Sequence, residues 1–308
     1  MNKRAIEFSF AWLFAMIAGA AILFISIYAV VGVINSGERR AEAELTSEIA
    51  ILLDPMGAGI EDESSLNVSF PTETRIFNSC RTEGNFGEQR ISANSAGISG
   101  GFREPEIEKI SYDKYLFSDS VEQGERLHLF VKSFEMPFEV GSLIYAYTEE
   151  YCFVNPPQSV EESRAERVVV ASQMSECNRE SIKVCFSGNV FDSGCDINVD
   201  TSSERVTHNL KGKTVSYYGD ALLYGAIFAE PEIYECQVQR LMKRAGELAQ
   251  LYAAKSEIFG GSCGAEFAEE LRIYAAEIQL ENSGEIEQIA LKSEDLRRTN
   301  ERLSCKFF

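Results

Sequence analysis

FSFAWLFAMIAGAAILFISIYAVVGVI, residues 8–34, is the stretch on which the fold turns. It runs 27 residues without a charge, and Ser9 and Ser26 are its main polar side chains. As a helix it would rise roughly 40 Å at 1.5 Å per residue. That exceeds the roughly 30 Å hydrocarbon core of a bilayer, so the stretch is long enough to span once with some tilt. A cleaved secretory signal is the rival reading, because Lys3 and Arg4 form a short basic region and Ala18-Gly19-Ala20 has the A-x-A form of a cleavage site. The apolar run continues well past that site, so we read an uncleaved anchor.

The remainder is read outward from this span. Positive charges do not decide its orientation, since Lys3 and Arg4 precede it and Arg39 and Arg40 follow it. The cysteines do. All eight (Cys80, Cys152, Cys177, Cys185, Cys195, Cys236, Cys263, Cys305) follow the span, and an even number on one side points to disulfides in an oxidising compartment. The expected layout is a cytoplasmic tail at 1–7, a transmembrane helix at 8–34, a stalk helix at 35–54, a β-rich domain at 55–230 and a C-terminal helical unit at 231–308. Residues 35–308 then lie outside the cytoplasm, and the Asn67-Val68-Ser69 sequon is accessible for glycosylation.

Charge excludes one class of function. The chain carries 29 Lys plus Arg against 48 Asp plus Glu, a formal net charge of −19. Residues 41–230 alone hold 15 basic and 32 acidic side chains. Such a field repels phosphate backbones, so no nucleic-acid partner is expected. The expected partners are the lipid bilayer and either further copies, through the N-terminal helix, or other envelope proteins.

Residues 37–53 (GERRAEAELTSEIAILL) continue the helical pattern, and Asp54-Pro55 with Gly57 and Gly59 stops it. Residues 66–80 alternate like a strand around Pro71, while 81–108, rich in Gly, Ser and Asn, read as a loop region. YLFSDS, RLHLFVKSFEMPFEV, SLIYAYTEEYCFV, RVVVASQ, SIKVCFSG, CDINVD and KTVSYYG read as short strands. ALLYGAIF, 221–228, fits a helix or a strand equally well. From Pro231 the apolar spacing becomes helical and predicts three helices ending near residue 304. The fold class is therefore α+β, stabilised by disulfides. Cys185 and Cys195 flank FSGNVFDSG and suit a bridge across the base of a hairpin. If the second and third terminal helices pack antiparallel, Cys263 and Cys305 lie at the same end and suit a second bridge. Cys80, Cys152, Cys177 and Cys236 allow three connectivities, among which sequence does not choose.

Motifs for chemistry are sparse. Gly97-Ile98-Ser99-Gly100-Gly101 has the G-x-S-x-G form, but in a loop region rather than a strand–turn–helix. Ser99 with His208 is the weak hydrolase alternative. Ser111 and Lys114 match S-x-x-K without its companion motifs. Asp196, Asn198 and Asp200 begin like a calcium loop, yet Thr201 replaces its glycine and Thr207 its twelfth-position glutamate. An irregular cation site is the weak remainder. No C-x-x-C, P-loop or dinucleotide fingerprint occurs, and no cofactor is expected. His128, between leucines in RLHLFV, reads as structural, and Trp12 as a contact within the span.

Two resemblances follow from quoted residues. Arg4-Ala5-Ile6-Glu7-Phe8 before a long apolar helix resembles the N-terminus of type IV pilin-like proteins of the Tad pseudopilin kind. In that family a glutamate at the head of the apolar core helps dock subunits in a filament, which implies this role for Glu7. The chain departs from the family in lacking a glycine before a processing site, and a cut after Asn2 would leave a leader of two residues. IEFSFAWLFA (6–15), CFSGNVFDSGCDINV (185–199) and YECQVQRLMKR (234–244) are together similar to archaeal single-span proteins. That resemblance implies a shared architecture and no activity. The expectation is a non-enzymatic, membrane-anchored envelope protein acting by assembly or binding, with a pilin-like subunit and a tethered serine hydrolase as alternatives.

Overall fold

A computed structural model of the chain describes residues 10–57, 65–96, 101–161, 165–186, 194–259, 261–279 and 282–308. One helix, α1 (Phe10–Gly57), takes in both the apolar run and the amphipathic stretch after it. Strands β1 (Ser65–Arg81), β2 (Glu88–Ser95), β3 (Lys109–Ser111), β4 (Tyr115–Phe117), β5 (Val121–Glu135) and β6 (Glu139–Tyr147) form a six-stranded sheet in the order β3-β2-β1-β5-β6-β4. All its pairs are antiparallel except β4 with β6. The chain continues through β7 (Tyr151–Val154), the short α2 (Gln158–Glu161), β8 (Val168–Ala171), β9 (Ile182–Phe186), β10 (Ile197–Asp200), β11 (Arg205–His208) and β12 (Lys213–Ser216). These strands make a second six-stranded sheet in the order β12-β11-β10-β9-β7-β8. Four helices complete the chain: α3 (Gly219–Phe228), α4 (Pro231–Phe259), α5 (Gly261–Glu277) and α6 (Ile286–Arg302).

The first sheet is buried on both faces, which is why β5 reads as nearly continuous apolar sequence. Leu127, Leu129 and Val131 point to one side and pack with Ile49 and Leu53 of α1. Phe130 and Phe134 point to the other side, as the two-residue period of a strand requires. There they join one large core with the inner face of the second sheet and with α3 to α6. That core runs without a break from Tyr115 to Phe307, so β strands and C-terminal helices bury each other. Phe228 is at its centre, stacked on Tyr147 at 4.5 Å and edge-on to Tyr151 at 4.7 Å. α3 is buried continuously from Leu222 to Phe228. A helix covered all round has no amphipathic period, so its sequence left helix and strand equally open. Gly225 brings it close to β4, because a Cβ there would stand 2.7 Å from the Phe117 ring.

α4 is held to the first sheet by buried polar groups. Arg240 is fully buried and makes no ion pair within 4 Å among the described residues, Asp113 and Glu88 acting on it only at longer range. Its guanidinium donates to the carbonyls of Phe86 (3.1 Å), Lys114 (2.8 Å) and Tyr112 (3.1 Å) and to Oε1 of Gln237 (2.7 Å). It also lies 5.0 Å from the centre of the Tyr115 ring. Gln237 donates to the Leu116 carbonyl (3.0 Å) and to Gln89, whose own amide donates to Asn78. Lys243 reaches the Thr82 and Gly84 carbonyls, Arg244 the Val140 carbonyl, and Cys236 is bonded to Cys80. The turn under Arg240 requires Gly87, whose φ is +59° and whose Cβ would meet the Arg81 carbonyl at 2.3 Å and the Arg240 Cγ at 2.9 Å.

Four expectations are corrected. The 81–108 region contains β2, in which buried Gln89, Ser92 and Asn94 sit among Ile91 and Ala93. Gln89 serves the amide network and Asn94 holds the Arg103 carbonyl, so hydropathy hid the strand. Cys185 and Cys195 are bonded, yet β9 and β10 are parallel neighbours, so the bridge closes a crossover rather than a hairpin. The expected stalk at 35–54 is no free spacer: Thr46, Ile49 and Leu53 are buried against the sheet. The C-terminal helices share their core with the strands instead of standing as a separate unit.

Replacing Arg240 with Met should leave three backbone carbonyls without their donor, at roughly 1–3 kcal/mol each before relaxation. We expect Arg240→Met to lower the thermal midpoint of the full-length protein well beyond Arg297→Met, which removes an exposed guanidinium paired with Glu294 on α6. Equal midpoints for the two variants would show that the buried guanidinium adds nothing.

Candidate functional site

Geometry singles out two places, the junction within α1 and a polar cleft beside α3. At the junction, the described side chains from Trp12 to Val33 are exposed apart from a partly covered Ala18. One segment of α1, near the N-terminus, is long and apolar enough to cross a membrane. Among the contacts described, those that tie α1 to the folded domain begin at Glu38. Arg103 pairs with Glu38 at 2.8 Å and Arg39 with Glu106 at 3.0 Å. The Glu42 carboxylate accepts the backbone N–H groups of Glu106 (2.6 Å) and Ile107 (2.9 Å). Thr46 accepts the Ala93 N–H at 3.0 Å, and Asp54 pairs with Lys114 at 2.5 Å. A charged strap, residues 103–108, therefore clasps the helix just where its apolar run ends.

The cleft, about 290 Å³, is lined by Asp119, Tyr151, Lys183, His208, Leu210 and Lys211 among others. Lys211 joins Glu230 at 2.7 Å and Asp119 at 3.4 Å. Burial raises the Asp119 carboxyl, with Glu230 adding to the effect. Behind it, buried Glu122 accepts from Thr148 N (3.0 Å), Thr148 Oγ1 (2.9 Å) and Asp119 N (3.2 Å). Burial, reinforced by the Asp119 charge, raises Glu122 to about 8, so it is largely protonated at neutral pH. Sequence reading passed over Asp119 and Glu122; the turn after β4 places them side by side, and the turn after β6 brings Thr148 onto Glu122. A Glu flanked by Val121 and Gln123 carries no local mark of burial.

The expected site residues fall as follows. Glu7 and Ser99 lie outside the described residues. His208 is buried and donates Nε2–H to the Ala226 carbonyl at 2.8 Å, and burial lowers its basicity. It orients α3 against β11. Asn67 is exposed on β1, but its amide nitrogen, the atom a glycan would take, donates to Glu166, and its oxygen accepts from His128 Nδ1 at 2.5 Å. The sequon is thus engaged rather than free, and His128 is structural, stacked on Tyr147 at 5.6 Å. Asp196 accepts the Lys183 N–H at 2.8 Å. Asp200 accepts from Ser202 and Ser203, and these hydrogen bonds hold it at about 2. Asn198 is buried on β10 between them in sequence. The two carboxylates thus serve the local chain, and among the described residues no group of three or more His, Cys, Asp or Glu is placed to hold a metal ion. Ser111 bonds to Asp113 at 2.7 Å and Lys114 to Asp54, so neither acts on the other.

The open cysteine connectivity resolves as Cys80–Cys236 and Cys152–Cys177. Cys305 is disulfide-bonded, and the side chain of Cys263, its expected partner, lies outside the described residues. Comparison with known proteins finds no matching family model, curated protein or solved structure.

Glu122 gives a pH signature. Its folded-state value, about 8, stands above the unfolded one, so its stabilising contribution is complete below about pH 4.5 and is lost as pH rises through about 8. The neutral isostere Glu122→Gln should flatten that fall. Urea unfolding at about pH 5 and about pH 9 should give the variant the smaller difference between the two conditions; an unchanged difference would place the titration elsewhere.

Proposed function

We propose that the protein is a single-pass, membrane-anchored envelope protein whose disulfide-bonded domain lies outside the cytoplasm and acts by assembly or binding rather than catalysis. One observation carries this reading: α1 is a single helix, exposed and apolar in its first half, docked and buried in its second. Exposed Phe14, Ile17, Phe24, Ile25 and Val33 need a hydrocarbon solvent or a partner to cover them. The printed bridges support an oxidising location for the domain. Of the hydrolase alternative's two residues, His208 is buried with its Nε2–H given to the Ala226 carbonyl, which disfavours it as a base, and Ser99 lies outside the described residues.

The second reading, a pilin-like filament subunit, is favoured by the continuity of α1. Bundling the apolar halves of several copies would array their attached domains, and Glu7, which precedes that half in sequence, resembles the family's docking carboxylate.

Two measurements test these readings. Membrane fractions washed with alkaline carbonate should retain the protein, and deletion of residues 1–34 should release it with its disulfides intact. Recovery of the intact chain in the cytosol with reactive thiols would sink the proposal. The mass of the detergent-extracted native particle then separates assembly from display. A mass many times 34.3 kDa that collapses in Glu7→Ala supports the filament reading, and a single-copy mass removes it.

A further inference from the structure

The separation between the apolar run and the folded domain is very short. The last residue of the apolar run is Ile34, and the first α1 side chain seen bound by the domain among the described residues is Glu38, through Arg103. Ser36 and Gly37 between them are exposed. Four residues of helix rise about 6 Å. The headgroup layer on each side of a bilayer is also about 6 Å thick, from the difference between roughly 30 Å of hydrocarbon and roughly 42 Å in total. Nothing interrupts the helix here, so no hinge lets the domain swing clear.

We infer that the rim of the domain formed by Arg39, Arg40, Phe102, Arg103 and Glu104 is a membrane-contact surface, seated among lipid headgroups. This inference rests on the anchored reading above. Surplus apolar length does not lift the rim, because a roughly 40 Å run in a roughly 30 Å core is accommodated by tilt, and tilt lowers one side of the domain toward the bilayer. The chemistry of the rim suits that layer. Arg40 is exposed and has no ion-pair partner among the described residues, leaving its guanidinium for a phosphate or other headgroup anion. Phe102 lies under the Arg75 guanidinium at 4.1 Å, a cation–π pair that joins an apolar ring to a positive charge at the rim. Of the neighbouring acids, Glu38 is paired with Arg103 and Glu106 with Arg39, and Glu104 is exposed. The opposite end of the first sheet stands far from the membrane in this arrangement. From Ser95 at the rim to Glu88 beneath Arg240, β2 extends about 24 Å at 3.4 Å per residue.

The test is depth-dependent quenching on the full chain in nanodiscs. A fluorescent amino acid is placed singly at Phe24, Glu104 or Asn85. The lipids carry a nitroxide either on the headgroup or deep in the acyl chain. The expected result is loss of emission at Phe24 with the acyl-chain quencher, loss at Glu104 with the headgroup quencher, and unchanged emission at Asn85 with both. Quenching at Phe24 with none at Glu104 overturns the seated rim and leaves the anchor standing. Absence of quenching at Phe24 overturns both. Equal headgroup quenching at Glu104 and Asn85 also overturns the seated rim, since the domain would then lie on its side.

Discussion

The structure depends on a buried positive charge that no carboxylate pairs with directly among the described residues. Burying an ion is costly unless its hydrogen-bonding capacity is filled. Arg240 meets that condition with three backbone carbonyls and one amide oxygen rather than a carboxylate. Those carbonyls come from the turn before β2 and from the segment leading into β4, which are distant in sequence. The fork geometry of the guanidinium is satisfied only when all of them are in place. Desolvation lowers its basicity without discharging it, so the charge makes the arrangement exacting. The amide chain Gln237–Gln89–Asn78 and the Cys80–Cys236 bridge extend the same attachment along β1 and β2.

With α4 fixed, the rest follows by coverage. The first sheet needs two covers because both its faces are apolar. α4 and α3 supply one and the second half of α1 supplies the other. The same α1 is thus a core helix for part of its length and an exposed apolar helix for the rest. Its two halves differ in what covers them, and the change occurs within the few residues between Ile34 and Glu38. The charged strap at 103–108 marks that boundary. Its ion pairs are mostly exposed and individually worth little, whereas the two backbone N–H groups held by Glu42 fix the position of the strap along the helix.

Local pattern made much of this visible. The charge-free run, the amphipathic stretch after it, the short strands and the three terminal helices are each consequences of side-chain periodicity, which a chain carries whatever it packs against. β2 and α3 escaped for opposite reasons: β2 buries polar residues such as Gln89 and Asn94, and α3 is apolar on every side. The motif YECQVQRLMKR was visible as a run of residues but not as a device. Cys236, Gln237, Arg240, Lys243 and Arg244 each reach a different part of the first sheet.

Sequence alone determined that this protein has an apolar helix long enough to cross a bilayer, a β-rich region after it, helices at the end, and cysteines confined to the folded part. Those properties are sums over neighbouring residues. Tertiary structure alone decided which cysteines pair, that β9 and β10 run parallel, that the stretch after the apolar run is core rather than stalk, and that Glu122 is held protonated behind Asp119. Each of these depends on which distant segment supplies the other half of a contact: a second sulfur, a partner strand, a covering face or a desolvating wall. Local periodicity carries no record of that partner.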